Sequence, residues 1–199
     1  MNNEKNKELD IKKMDDELNL VPASQIEGVY CLDVSEEEME WLLEFGEKLV
    51  AKCALSGGAG LAACQVGINK RVFAWMFKEG LYQIAVNPVY YKDGKNTNTV
   101  EGCLSYPGEQ YFVTRHKYIR AVYYSVNRNT KKLVKICKIL RDEAAIIYQH
   151  ETDHCNGITI AMKGKLFKKA VAPQQIKQEE NEEVKVKNTN TDSEIILDK

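Results

Sequence analysis

The stretch Gln149-His150-Glu151-Thr152-Asp153-His154 holds the densest chemistry in the chain. It reads H-E-x-x-H and follows Asp142–Tyr148, a run that includes Ala-Ala-Ile-Ile and neither glycine nor proline. Residues four apart on an α-helix lie about 40° apart in azimuth and roughly 6 Å apart along the axis. On a helix, His150 and His154 therefore face the same way and can share one metal ion. Glu151 falls about 100° round from His150. There it stands beside such an ion, where a carboxylate can exchange protons with a bound water. A catalytic centre needs a third protein ligand and an open position. The downstream pattern that would place a histidine six residues on fails here: Gly157 fits, but position 160 is Ile160. The third ligand comes from elsewhere.

Two other stretches carry isolated polar groups. The turn Ser56-Gly57-Gly58-Ala59-Gly60 has little side-chain bulk, so another backbone can approach it closely. It runs into Leu61-Ala62-Ala63-Cys64-Gln65, where Gln65 is a lone amide in apolar company. Local sequence leaves two readings of it: a satisfied turn residue, or a donor aimed at a substrate carbonyl. Further on, Glu101-Gly102-Cys103-Leu104-Ser105 puts a thiol beside a glycine, in a loop between strand candidates. Cys103 is read either as a small buried hydrophobe or as a ligand or nucleophile.

The elements that must position these groups can be placed from pattern. Ser35 with Glu38 forms a capping box, and a helix is predicted from there to about Cys53, with Met39, Leu42, Leu43, Leu49, Val50 and Cys53 on one face. Strands are predicted at Val72–Met76, Leu81–Val86, Val89–Tyr91, Ile119–Val126 and Lys132–Cys137, with Asn87-Pro88 breaking the second from the third. The metal-type helix is predicted near residues 140–155, and the apolar stretch Ile158–Met162 follows it. A helix, several hairpin-linked strands and a second helix make an α+β order rather than a βαβ alternation. The expected fold is a single domain of antiparallel or mixed β-sheets packed around a central H-E-x-x-H helix, with one more helix N-terminal to them.

At 199 residues, 44% hydrophobic and 29% charged, the chain has the make-up of one ordinary globular domain. A net charge of −1 argues against a general nucleic-acid role, and no apolar run is long enough to span a membrane. The N-terminus lacks the apolar core of a signal peptide. The six cysteines (31, 53, 64, 103, 137 and 155) include no C-x-x-C, which points to reduced thiols and a cytoplasmic setting. Residues 1–17 and 174–199 are charged and poor in apolar groups, so both are expected to be disordered, flanking a catalytic domain over 18–173.

Taken together, G-x-G-L-A-A-x-Q, E-G-C-L-S and Q-H-E-x-D-H, in this order and at these separations, resemble the three signature motifs of peptide deformylase over roughly residues 18–165. The resemblance implies Cys103, His150 and His154 as metal ligands and Glu151 as acid and base. It also implies Gln65 and the Leu104 backbone N–H as donors to the carbonyl oxygen. The activity implied is removal of the formyl group from nascent formyl-methionyl polypeptides at the ribosome, releasing formate. The implied cofactor is one divalent ion, ferrous iron by preference, with zinc, nickel or cobalt able to take its place. In this family the peptide lies as an added strand against the glycine turn, which favours Ala59 and Gly60 as contacts. Ile146 and Ile147, four and seven residues before a ligand, fall near the metal-facing side and could line a slot for the methionine side chain. Two other activities are weighed: an H-E-x-x-H zinc peptidase, which would take a downstream ligand, and an inactive deformylase-like binding protein. Three features depart from the motifs: Cys64, Cys155, and a segment Ser105–Tyr111 without the basic residue that many members carry there.

Overall fold

A computed structural model describes residues 8–13, 16–27, 34–127 and 129–169. The expected tail 174–199, residues 1–7 and 14–15 of the expected arm, and Cys31 lie outside the described residues.

Helix α1 spans Glu36–Leu55. It starts where the Ser35 hydroxyl accepts a hydrogen bond from the Glu38 N–H (3.1 Å), and three glutamates sit in its first turn, near the positive end of the helix dipole. Gly57, at φ 68°, takes the left-handed turn that leads out of it. Six strands follow: β1 (Gly60–Ala62), β2 (Val72–Lys78), β3 (Leu81–Cys103), β4 (Tyr106–Asn127), β5 (Lys132–Arg141) and β6 (Lys165–Lys169). They form one sheet in the order β1-β2-β3-β4-β5, with β6 on β4, and every pairing is antiparallel. Helix α2 (Asp142–Cys155) and the single turn α3 (Ile160–Lys163) lie between β5 and β6.

The two long helices cover opposite faces of the sheet. Strand β2 shows why its sequence is apolar at successive positions: Val72 and Ala74 pack with Leu42, Leu49 and Cys53 of α1, while Phe73 and Trp75 pack with Ala145 and Tyr148 of α2. The Tyr148 ring stands edge-on to Phe73 and Trp75 at centroid distances of 5.2 and 5.3 Å. Its hydroxyl donates to the Val122 carbonyl at 3.2 Å. This packing sets the rotation of α2, and so which of its residues face outward.

Three expectations are corrected. Asn87-Pro88 does not end a strand; β3 runs through it with a shift in register between Val86 and Val89. Asn87 takes φ 47°, and its side-chain amide pairs with both the N–H and the carbonyl of Ile26 (2.9 and 2.8 Å), doing the work of a ladder partner. The segment around Cys103 is not an open loop. It is the tip of the β3–β4 hairpin, where Cys103 pairs with Tyr106 across Leu104-Ser105. Finally, residues 8–13 of the expected arm lie on the domain. Leu9 and Ile11 pack against the α1-side core, and the Lys12 N–H donates to the Gln65 carbonyl at 2.7 Å.

Candidate metal centre and cleft

Helix α2 presents His150 and His154 to the tip of the β3–β4 hairpin. The two Nε2 atoms are 3.2 Å apart, and the Cys103 Sγ is 3.4 Å from the Nε2 of His154. One ligand atom from each of the three residues falls within 4.8 Å of the others. Two ring nitrogens and a sulfur turned toward one point suit a divalent transition-metal ion in number and type. The second nitrogen of His150 is fixed as well, because its Nδ1 meets Glu101 Oε2 at 2.9 Å and so keeps Nε2 pointing inward. Burial disfavours a proton on His150, yet its hydrogen bonds to Cys103 and Glu101 outweigh that and hold its pKa up at about 10. Burial, and then the charge of His150, pushes His154 well down. A bound cation would compete with protons for the same ring nitrogens.

Glu151 is buried, at 3% exposure, and still borders the cleft. Its Oε2 has no hydrogen-bond partner among the described residues. A buried carboxylate oxygen without a partner calls for a donor from a water or a substrate. Burial lifts the Glu151 carboxyl to about 7, against the pull of His150 and Arg115, which puts it in the range where a group can both take and return a proton. Room for it comes from Gly60, where any side chain would run into the Glu151 carboxylate.

Gln65 sits in a 3-10 turn (Ala63–Val66), 1% exposed. Its Oε1 accepts from the Ala62 N–H at 2.8 Å, which fixes the amide so that its NH₂ faces Ser105 Oγ (3.1 Å) and Cys103 Sγ (3.4 Å). The two sequence readings of Gln65 are therefore compatible: the oxygen satisfies the turn while the nitrogen faces the thiol.

These groups line a cleft of about 740 Å³. Gly57–Gly60 form one wall, the hairpin tip from Thr99 to Gln110 forms another, and Ile146, Ile147, His150 and Glu151 of α2 border it as well. Leu104 lines it too, its side chain close to Gly58. Of the ligand, catalytic and substrate-contact residues expected from the sequence, all border this cleft except His154, which is buried. Cys155 is absent from the donor cluster; it packs in the α2-side core. No basic residue appears in Ser105–Tyr111, but Lys168 of β6 reaches the cleft from beside Gln110.

Two charged residues carry more of the site than their sequence suggested. Glu101 anchors His150, and Arg115, 2% exposed, anchors Glu101. Burial alone would raise the Glu101 carboxyl, but the Arg115 hydrogen bonds keep it well below the usual carboxylate range. A signal for Glu101 existed, since it stands two residues before Cys103; Arg115, in Thr114-Arg115-His116, had none.

The Polypeptide deformylase family matches residues 20–170. A peptide deformylase of Fusobacterium nucleatum is 29% identical over 148 residues, 74% of this chain and 82% of that one. Another, from Hamiltonella defensa, is 30% identical over 166 residues, 82% of this chain and 75% of its own length. The crystal structure of peptide deformylase from Thermotoga maritima is similar at a TM-score of 0.66 and 27% identity, covering 79% of this chain and 97% of that one.

Proposed function

The chain belongs to the polypeptide deformylase family and removes the N-terminal formyl group from nascent polypeptides, and from that premise we propose how its own residues do so. The observation that carries the proposal is the convergence of Cys103 Sγ, His150 Nε2 and His154 Nε2 beside the unpartnered Oε2 of Glu151. Cys103, His150 and His154 would hold the divalent ion on which the family depends. When bound, that ion supplies a Lewis acid and brings the pKa of a water toward neutrality.

Glu151 takes the proton from the attacking water. As the formyl carbon–nitrogen bond breaks, Glu151 returns that proton to the departing amine, so formate and a free N-terminus leave together. The Gln65 amide N–H and the Leu104 backbone N–H meet the oxygen on which negative charge develops. Ala59 and Gly60 receive the peptide main chain as an added strand, using backbone groups alone. Ile146 and Ile147 form the apolar wall for the methionine side chain. One donor of the Gln65 kind is worth about 3 kcal/mol at the transition state. Gln65→Leu is therefore expected to lower kcat by roughly 10²-fold with little change in KM. A change confined to KM would reassign Gln65 to ground-state binding.

We assign iron(II) as the working ion, with zinc, nickel and cobalt able to occupy the same donors. Iron(II) accepts a fifth ligand readily, whereas zinc with a thiolate among its donors is content with four. Protein loaded with iron without oxygen is expected to deformylate a formyl-methionyl peptide faster than the zinc form. Air should then inactivate the iron form and spare a nickel form. Equal rates for iron and zinc, with iron indifferent to air, would leave zinc as the working ion. We place the reaction in the cytoplasm at the ribosome, where such chains emerge. Among the described residues no helix is long and apolar enough to cross a membrane.

A further inference from the structure

Beside the three donors runs a row of four charges, of which only Glu101 borders the cleft. Glu101 Oε2 is shared by His150 Nδ1 (2.9 Å) and Arg115 Nη2 (2.8 Å), and Arg115 Nε reaches Glu101 Oε1 at 2.8 Å. Arg115 Nη1 bonds Asp153 Oδ2, and the Lys163 Nζ lies 2.7 Å from each Asp153 oxygen. The row alternates in sign and sums to zero, the condition under which buried charges are tolerated. The Arg115 and Asp153 side chains are 1% and 6% exposed, and Lys163, at 30%, is the member open to solvent.

The four members come from four elements: Glu101 from β3, Arg115 from β4, Asp153 from α2 and Lys163 from α3. Both acids sit on the stretches that carry the donors: Glu101 is two residues before Cys103, and Asp153 precedes His154. Arg115 ties one stretch to the other. Just after Lys163 the backbone runs close against β4: at Gly164 any side chain would meet the Phe112 carbonyl at 2.8 Å. Without Lys163, the buried Asp153 keeps one cationic partner, and Arg115 must divide its charge between two carboxylates with nothing to balance the far one.

We propose that Lys163 and Arg115 are positioning residues of the metal centre, setting the His150 ring through Asp153 and Glu101. The inference rests on Cys103, His150 and His154 being the ligands. It differs from plain structural gluing of β4 to α2, which would alter folding stability and leave the ion's surroundings unchanged.

The test uses the full chain stripped of metal and titrated with cobalt(II) against a competing chelator, read by affinity and by the visible absorption of the bound ion. Outer-shell partners of ligating histidines are worth about 10- to 100-fold in metal affinity. Lys163→Met is expected to weaken cobalt binding about tenfold and shift the absorption bands, and Lys163→Arg to restore both. Arg115→Lys, which keeps the charge and loses the two-pronged hold on Glu101, is expected to weaken binding likewise, and decides the matter if Lys163→Met fails to fold. A fall in the melting temperature of the metal-free variants, with affinity and spectrum as in the wild type, overturns the inference in favour of gluing. A wild-type chain that takes up no cobalt overturns the ligand assignment itself, and this inference with it.

Discussion

Glu151→Gln is expected to yield a folded protein that keeps its metal and turns over about 10³-fold more slowly, within the range general acid–base groups contribute. The substitution is nearly isosteric at a buried side chain, and Oε2 makes no hydrogen bond among the described residues that the change could break. The proposed donors Cys103, His150 and His154 are untouched, so metal content measured by elemental analysis is expected to stay at the wild-type level. What is lost is a group able to accept a proton and give it back. The pH profile supplies a second check. Only the ionised carboxylate accepts a proton; burial lifts Glu151 to about 7 against the pull of His150 and Arg115, and a bound divalent ion would lower it from there. In the wild type, kcat/KM therefore falls as pH drops through a value at or below 7, and in the variant that limb disappears. Turnover near the wild-type rate would remove Glu151 from the mechanism.

Cys103→Ala should have as large an effect by a different route. Two histidines remain, too few to hold a divalent ion against water. The ion's contribution to the transition state is several kcal/mol, so activity is expected to fall by about 10³-fold or more, together with bound metal. The fold should survive, because Cys103 is only half-buried, at a hairpin tip held by Tyr106 and Tyr111. The contrast with Glu151→Gln is diagnostic: one variant loses turnover with metal, the other without it. A Cys103→Ala protein that retained a full equivalent of metal would place the third donor elsewhere.

Helix α1 was legible because it buries one face, and α2 because a run without glycine or proline carries two histidines at helical spacing. Ser35 capped α1 where the capping box placed it, and α2 covers Asp142–Cys155 against an expectation of 140–155. The near halves of the strands were visible as runs rich in Val, Ile, Tyr and Phe, as in the predicted Val72–Met76 within the observed Val72–Lys78. The outer half of the β3–β4 hairpin was not. In Lys92-Asp93-Gly94-Lys95-Asn96-Thr97-Asn98-Thr99 almost every residue is exposed, so there is no alternation to detect, and the composition is that of a turn. Strand β6 escaped likewise, since all five of its residues face solvent. At the site, the spacing of His150 and His154 identified itself. Cys103, one of six cysteines, could be singled out only through the company its motif keeps with the other two, and Arg115 looked like any surface arginine. Charge buried by partners far along the chain leaves no local mark.

The position of Cys103 at the hairpin tip also orders events in time. Strands β3 and β4 are neighbours in sequence joined across two residues, so their pairing closes a short loop and needs nothing downstream. The histidines lie 47 and 51 residues beyond that tip and reach it only when α2 has docked on the opposite face of β2 from α1. The hairpin can form while the chain is still growing; the three donors cannot meet until His154 has been synthesised and packed. Metal uptake is thus a late reporter of folding, and the colour of a bound cobalt ion would time the arrival of α2 rather than the birth of the sheet.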